Sequence, residues 1–202
     1  MKPTVLFRDF EERDIDFIHK CKNDEKMNSM IVGHFKPFSR EDAENWVHGC
    51  MGEHDTYKFW AIATNDEEKK IVGWVSISSI DFINKKACFH GIFIGDDNYH
   101  DGFAWIESYL FVYNYCFEIL KLNRVYGESI VGHKNSNNIA QILYASREGY
   151  KRQDVFRNGK FYDVAFGSML RDEYLEHKEN GDYEMRAIIK RISYLRKNNM
   201  LY

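Results

Sequence analysis

The chain has 202 residues, enough to bury a core without disulfides or metals and short enough for one domain with at most an appendage. Its 28 basic and 31 acidic residues leave a net charge of −3, which argues against a generally basic nucleic-acid binder. Hydrophobic residues at 44% exclude a disordered chain, and only two prolines exclude Pro-rich linkers. No apolar run reaches the roughly 18 residues of a membrane span, and acidic residues follow the N-terminus too soon for a signal peptide, so a cytoplasmic protein is expected. Cys21, Cys50, Cys88 and Cys116 form no CxxC pair; reduced thiols and no metal are expected. His48 and His54 flank the short GCMGE turn without a ligand set around them.

In chain order, 4–9 (TVLFRD) reads as a strand and 11–21 as a helix with Ile15, Phe17 and Ile18 on helical spacing. The segment 28–37 lacks a period and reads as a loop. Ser39 with Asp42 three residues on opens a helix whose buried stripe is Ala43, Trp46, Val47 and Cys50. Three β-rich runs follow, 57–64, 71–80 and 87–94, separated by short polar turns that suggest an antiparallel meander. Residues 102–120 read as one long helix, with Phe103, Ile106, Leu110, Tyr113, Phe117 and Leu120 stepping by three or four. Then come a strand at 124–131, a helix at 135–148 stopped by Gly149, and a hairpin of 150–156 with 161–170 around Arg157-Asn158-Gly159-Lys160. The strand–helix–strand crossover makes one neighbouring pair parallel. The fold class expected is α/β (α+β): a mixed, mostly antiparallel sheet with helices on both faces, plus a C-terminal amphipathic helix.

The stretch Gly91 to Ala104, GIFIGDDNYHDGFA, leaves a strand, crosses a polar loop and enters a helix. Unpaired N–H groups and the helix dipole make such a place suited to a phosphate or pyrophosphate, and Gly102 and Ala104 keep side chains out of the way. That stretch, then YNYCFEILKLNRVY, then VFRNGKFYDVAFGSMLRDEY, resembles the GNAT N-acetyltransferase superfamily. The branch is the one similar to ribosomal-protein-alanine and nucleotide-linked amino-sugar acetyltransferases. The resemblance runs over about 4–174, which gives an expected acyltransferase domain at 1–174 and a helical extension at 175–202.

The resemblance implies acetyl-CoA as co-substrate. Its pyrophosphate would lie on Tyr99, His100, Gly102, Phe103 and Ala104, with Tyr99 standing where the family has Gln or Arg, and with Asp97 and Asp101 bringing negative charge. Backbone groups of His90, Gly91, Ile92, Phe93 and Ile94 would pair with the pantetheine arm like an added strand. The strand at 124–131 would splay away and open a slot for the thioester. Asn135 or Asn138 would bond the pantetheine or cap the following helix. Tyr144 is the candidate to protonate the leaving thiolate if its helix is shifted or bulged. Glu128 and His90 are the candidate bases for the acceptor ammonium.

For the acceptor, the resemblance points to the first loop, with His34 and Phe35, and to the hairpin, with Phe156, Arg157 and Tyr162. Aromatic rings and an arginine there suit a nucleotide-linked amino sugar. The expected activity is N-acetylation of a primary amine of a small molecule by direct attack in a ternary complex. The alternatives are acetylation of a protein N-terminus and a non-catalytic relative with weakened CoA binding. In the extension, Met185, Ile188, Ile189, Ile192 and Leu195 form an apolar stripe, expected to dock on the domain or on a second copy in a homodimer. The basic residues beside it are expected to stay solvated or meet carboxylates such as Glu11, Glu12 and Asp14.

Overall fold

The computed structural model describes residues 4–29, 36–157 and 159–201. The strands are β1 (Val5–Arg8), β2 (Lys58–Thr64), β3 (Ile71–Asp81), β4 (Lys86–Ile94), β5 (Arg124–Ile130), β6 (Ser146–Arg157) and β7 (Lys160–Leu170). The helices are α1 (Ile15–Lys22), α2 (Glu25–Asn28), α3 (Arg40–Cys50), α4 (Phe103–Asn114), α5 (Lys134–Ile142), α6 (Arg171–Glu179) and α7 (Met185–Lys197). The strands form one sheet in the order β1-β2-β3-β4-β5-β7-β6. β1–β2, β2–β3, β5–β7 and β6–β7 are antiparallel, and β4–β5 is parallel, so the mixed, mostly antiparallel class is met.

The chain gathers into two compact units. One comprises Lys2–Ile80 with His90–Ser108, the other Asp81–Phe89 with Tyr109–Tyr202. In the first, α1 and α3 lay Ile15, Ile18, Cys21, Ala43, Val47 and Cys50 against Ala61, Ile71 and Trp74 of the sheet. The capping box at α3 forms as the spacing predicts: the Ser39 hydroxyl accepts from the Asp42 N–H, and Asp42 accepts from the Ser39 N–H. Asp14, buried, accepts two bonds from the Arg8 guanidinium at 2.7 and 2.8 Å, which ties β1 to the entry of α1. Glu107 of α4 accepts from the backbone N–H groups of Thr4 and Val5 and fixes the other end of β1.

The second unit corrects the sequence reading in three places. The helix expected over 102–120 is α-helical only to Asn114; Tyr115–Ile119 is a π turn, in which the Leu120 N–H donates to the Tyr115 carbonyl. The helix expected over 135–148 ends at Ile142. Tyr144 takes a left-handed conformation, φ +66°, and the Ala145 and Tyr144 N–H groups return to the carbonyls of Ala140 and Gln141. Arg191 of α7 then donates to the carbonyls of Ile142 and Gln141, both at 2.9 Å. The helix therefore ends at a left-handed tyrosine with a guanidinium from α7 on its last carbonyls, and no glycine marks the stop. Gly149 lies instead within β6, where a Cβ would come within 2.9 Å of the Phe166 ring. Finally, Ile188 and Leu195 of the expected stripe are buried while Ile189 is exposed, and Arg191 meets helix carbonyls rather than Glu11, Glu12 or Asp14.

Candidate active site

The first unit carries the end of β4 and the loop into α4. Gly91 interrupts β4 at φ +145° and Gly102 opens α4 at φ +98°, conformations that L side chains rarely adopt. A Cβ at either would meet nothing within 4 Å, so both positions border open space. Between them, Asp96 caps a short 3-10 turn by accepting from the Asn98 N–H at 3.0 Å. His100 bonds the Ile94 carbonyl through Nε2 at 3.0 Å and approaches Asp97 through Nδ1 at 3.4 Å. Asp101 accepts from the Phe103 N–H at 2.9 Å, so one of the first helix donors is already used by a carboxylate. Ala104 is buried, and Tyr99 and Phe103 are half-buried.

His90 precedes Gly91 on β4 and keeps contact with solvent. Desolvation by the surrounding protein, and then the charge of Lys22, hold its pKa below the ordinary 6.5, so at neutral pH it is a free imidazole able to accept a proton. Ile92 and Phe93 are half-buried and Ile94 is buried. The Phe93 ring stacks on Trp74 at 4.1 Å. His34 and Phe35 lie outside the described residues.

The second unit holds the other expected residues. The parallel pairing of β4 and β5 covers Lys86–Cys88 against Arg124–Tyr126. Glu128 of β5 forms an ion pair with Lys151 of β6 at 2.5 Å. Tyr144 is packed face-on: His177 stacks on its ring at 3.8 Å and the Arg191 guanidinium lies 3.6 Å from the ring centre. At the start of α5 neither Asn135 nor Asn138 makes the cap. His133 does, through Nδ1 accepting from the Ser136 N–H at 3.2 Å. The buried asparagine is Asn137. Its Nδ2 donates to the carbonyls of Ile130 and His133, and its Oδ1 accepts from Arg147 at 3.0 Å. Sequence reasoning missed both residues, because HKNSNN offers four capping side chains in a row and only tertiary contact selects among them. In the hairpin, Val155 and Tyr162 pair across the strands, as do Arg157 and Lys160. The exposed rings of Phe156 and Phe161 pack on each other at 4.9 Å.

Among the described residues no group of three or more His, Cys, Asp or Glu is placed to hold a metal, and no helix is long and apolar enough to cross a membrane.

A glycine-bordered loop thus enters α4 beside the strand that carries His90. The model of the acetyltransferase (GNAT) domain family matches residues 4–143, and the chain belongs to that family. The spermidine N(1)-acetyltransferase of Vibrio cholerae is 26% identical over 182 residues, covering 89% of this chain and 100% of that one. A Bacillus subtilis relative, YdaF, provisionally named a ribosomal N-acetyltransferase, is 28% identical over 104 residues, 52% of this chain and 56% of that one. Among solved structures, the Vibrio cholerae spermidine N-acetyltransferase in complex with CoA and spermine superposes with a TM-score of 0.75 at 23% identity, over 85% of this chain and 98% of that one.

Proposed function

We propose that this GNAT acetyltransferase transfers the acetyl group of acetyl-CoA to a primary amine of a linear polyamine. The end-to-end match with a spermidine N(1)-acetyltransferase carries the reading of the acceptor. It replaces the nucleotide-linked amino sugar expected from the sequence. The pyrophosphate would lie over Gly102, where open space meets a helix N-terminus, and the pantetheine arm along His90–Ile94.

His90 is the base we favour. Its imidazole is neutral at physiological pH and takes one proton from the acceptor ammonium. The freed amine attacks the thioester carbonyl carbon, and backbone N–H groups of the strand stabilise the oxyanion. The tetrahedral adduct then collapses with cleavage of the C–S bond, and the remaining surplus proton on the adduct nitrogen passes to the leaving thiolate, giving the amide and the free thiol. Glu128 is held by Lys151 and Tyr144 by His177 and Arg191, which favours structural work for both.

The test is thiol release from acetyl-CoA with spermidine, spermine, and a peptide bearing a ribosomal-protein N-terminus. Release with the polyamines alone is the expected result. Release with the peptide alone would move the assignment to protein N-termini. Absence of thermal stabilisation by acetyl-CoA would make the chain a non-catalytic relative, a reading motivated by the Asp101 carboxylate on the Phe103 N–H.

A further inference from the structure

In the first unit, the last residue of α1 sends a lysine among aromatic rings. The Lys22 ammonium lies 4.7 Å from the ring centre of Trp46, 5.2 Å from Trp74 and 5.9 Å from Phe38, all within the range of cation–π attraction. The rings are held in place by their own packing. Trp46 meets Trp74 edge-on at 5.7 Å, and also meets Phe10 and Phe59 edge-on, both at 5.4 Å. Trp74 is stacked on Phe93 of β4. Among the described residues no carboxylate neutralises Lys22, and the nearby thiols of Cys21 and Cys50, each pushed up to about 12 by burial, carry no charge at neutral pH. Burial pulls its pKa below the usual lysine value. A long, flexible side chain is therefore kept partly out of water with its ammonium against three ring faces.

A set of rigid aromatic faces around an ammonium is a receptor for alkylammonium groups. The chain's own occupant defines the ligand it accepts: a primary ammonium on a butyl stem, which is the aminobutyl end of spermidine. The receptor also adjoins the strand of the proposed base. Phe93 of β4 is the ring beneath Trp74, and the charge of Lys22 is felt at His90. Lys22 has somewhere to go when displaced, because it ends α1 and its ammonium is favoured by the helix dipole at that end.

We propose that Phe38, Trp46 and Trp74 bind the ammonium of the acceptor that is not acetylated, and that Lys22 fills this receptor in the free protein and leaves it when the acceptor enters. This rests on the polyamine reading above. It makes Lys22 a built-in competitor that raises the acceptor concentration needed for half-maximal rate.

Removing the competitor tests it. In Lys22→Ala the KM for spermidine should fall by roughly tenfold, while the KM for acetyl-CoA stays within about twofold. Butylamine, with no second ammonium, should show no such gain. In Trp46→Leu the KM for spermidine should rise with the KM for acetyl-CoA unchanged. Spermidine added without acetyl-CoA should change tryptophan emission at lower concentration in Lys22→Ala than in the wild type. An unchanged or higher KM for spermidine in Lys22→Ala overturns the proposal, as does an emission titration identical in the two proteins. Failure of the polyamine reading is separate: the wild type would then release no thiol with spermidine at all, and the emission titration would still decide whether the receptor takes the ammonium.

Discussion

At His90 a single ring decides whether the proposed chemistry runs at neutral pH. Its pKa is lowered, so the free base persists to below 6.5, and turnover should decline only as the medium becomes acidic enough to protonate it. His90→Gln keeps a polar side chain but cannot hold the proton. Its kcat should drop by roughly a hundredfold or more, with the acidic limb of the rate profile gone and the KM for acetyl-CoA unchanged. A full-rate variant with an intact acidic limb would pass the role to Glu128. Gly102 tests the donor site in the same spirit. Valine there would put a branched side chain into the open space before α4 and would force φ +98° on an L residue. Acetyl-CoA affinity measured by calorimetry should fall at least tenfold, alongside a modest loss of melting temperature. A loss of melting temperature with full affinity would mean that only backbone strain was added and that the phosphates lie elsewhere.

The start of α5 depends on a titratable cap. Burial lowers the pKa of His133, and its Nδ1 must stay unprotonated to accept from Ser136. The folded value lies below the unfolded one, so the stabilisation is complete above about pH 6.5 and is lost as pH falls through the lowered folded value. A cap of this kind contributes about 1 kcal/mol. The melting temperature should therefore decline between pH 7 and pH 5, and less steeply in His133→Asn, which caps without titrating; equal slopes would remove His133 from the acid response. The other end of α5 illustrates what a sequence conceals. Periodicity located the helix, but its terminus is set by a left-handed Tyr144 and by a guanidinium from nearly fifty residues further along the chain. Strands were legible to within a residue or two wherever alternation met a turn signal, as at β2, β3 and β7. β6 begins earlier than its pattern suggests, since its first residues are exposed and polar.

For the whole chain, the loop from Gly91 to Ala104 could be singled out because glycine, polarity and a following helix coincide in a few residues. The aromatic receptor could not. Lys22, Phe38, Trp46 and Trp74 are scattered over more than fifty positions, and each looks ordinary in its own segment. The C-terminal extension was legible as an apolar stripe but not as a cap for α5. Removing residues 180–202 deletes α7, exposes what Ile188 and Leu195 cover, and frees two carbonyls at the end of α5. Each buried aliphatic side chain contributes about 2 kcal/mol, so the melting temperature should fall by roughly 10 °C, with reduced solubility. A truncated protein that melts with the full chain would show the extension to be dispensable.

The π turn at Tyr115–Ile119 ties two distant stretches together. Its geometry presents the Phe117 carbonyl to Arg171, and it aims the Glu118 carboxylate at Tyr174 and Lys178 of α6, each at 2.5 Å. A π turn holds one residue more than the α-helical turn it replaces, and removing that residue would rotate Glu118 by about 100° away from these partners. The extra residue and the C-terminal helices thus depend on one another for these contacts. Relatives whose chains stop at the last strand should carry a plain α-helix here, one residue shorter. Within this chain, deletion of a single residue from the π turn should loosen α6 to proteolysis while leaving the region around Lys22 and His90 undisturbed.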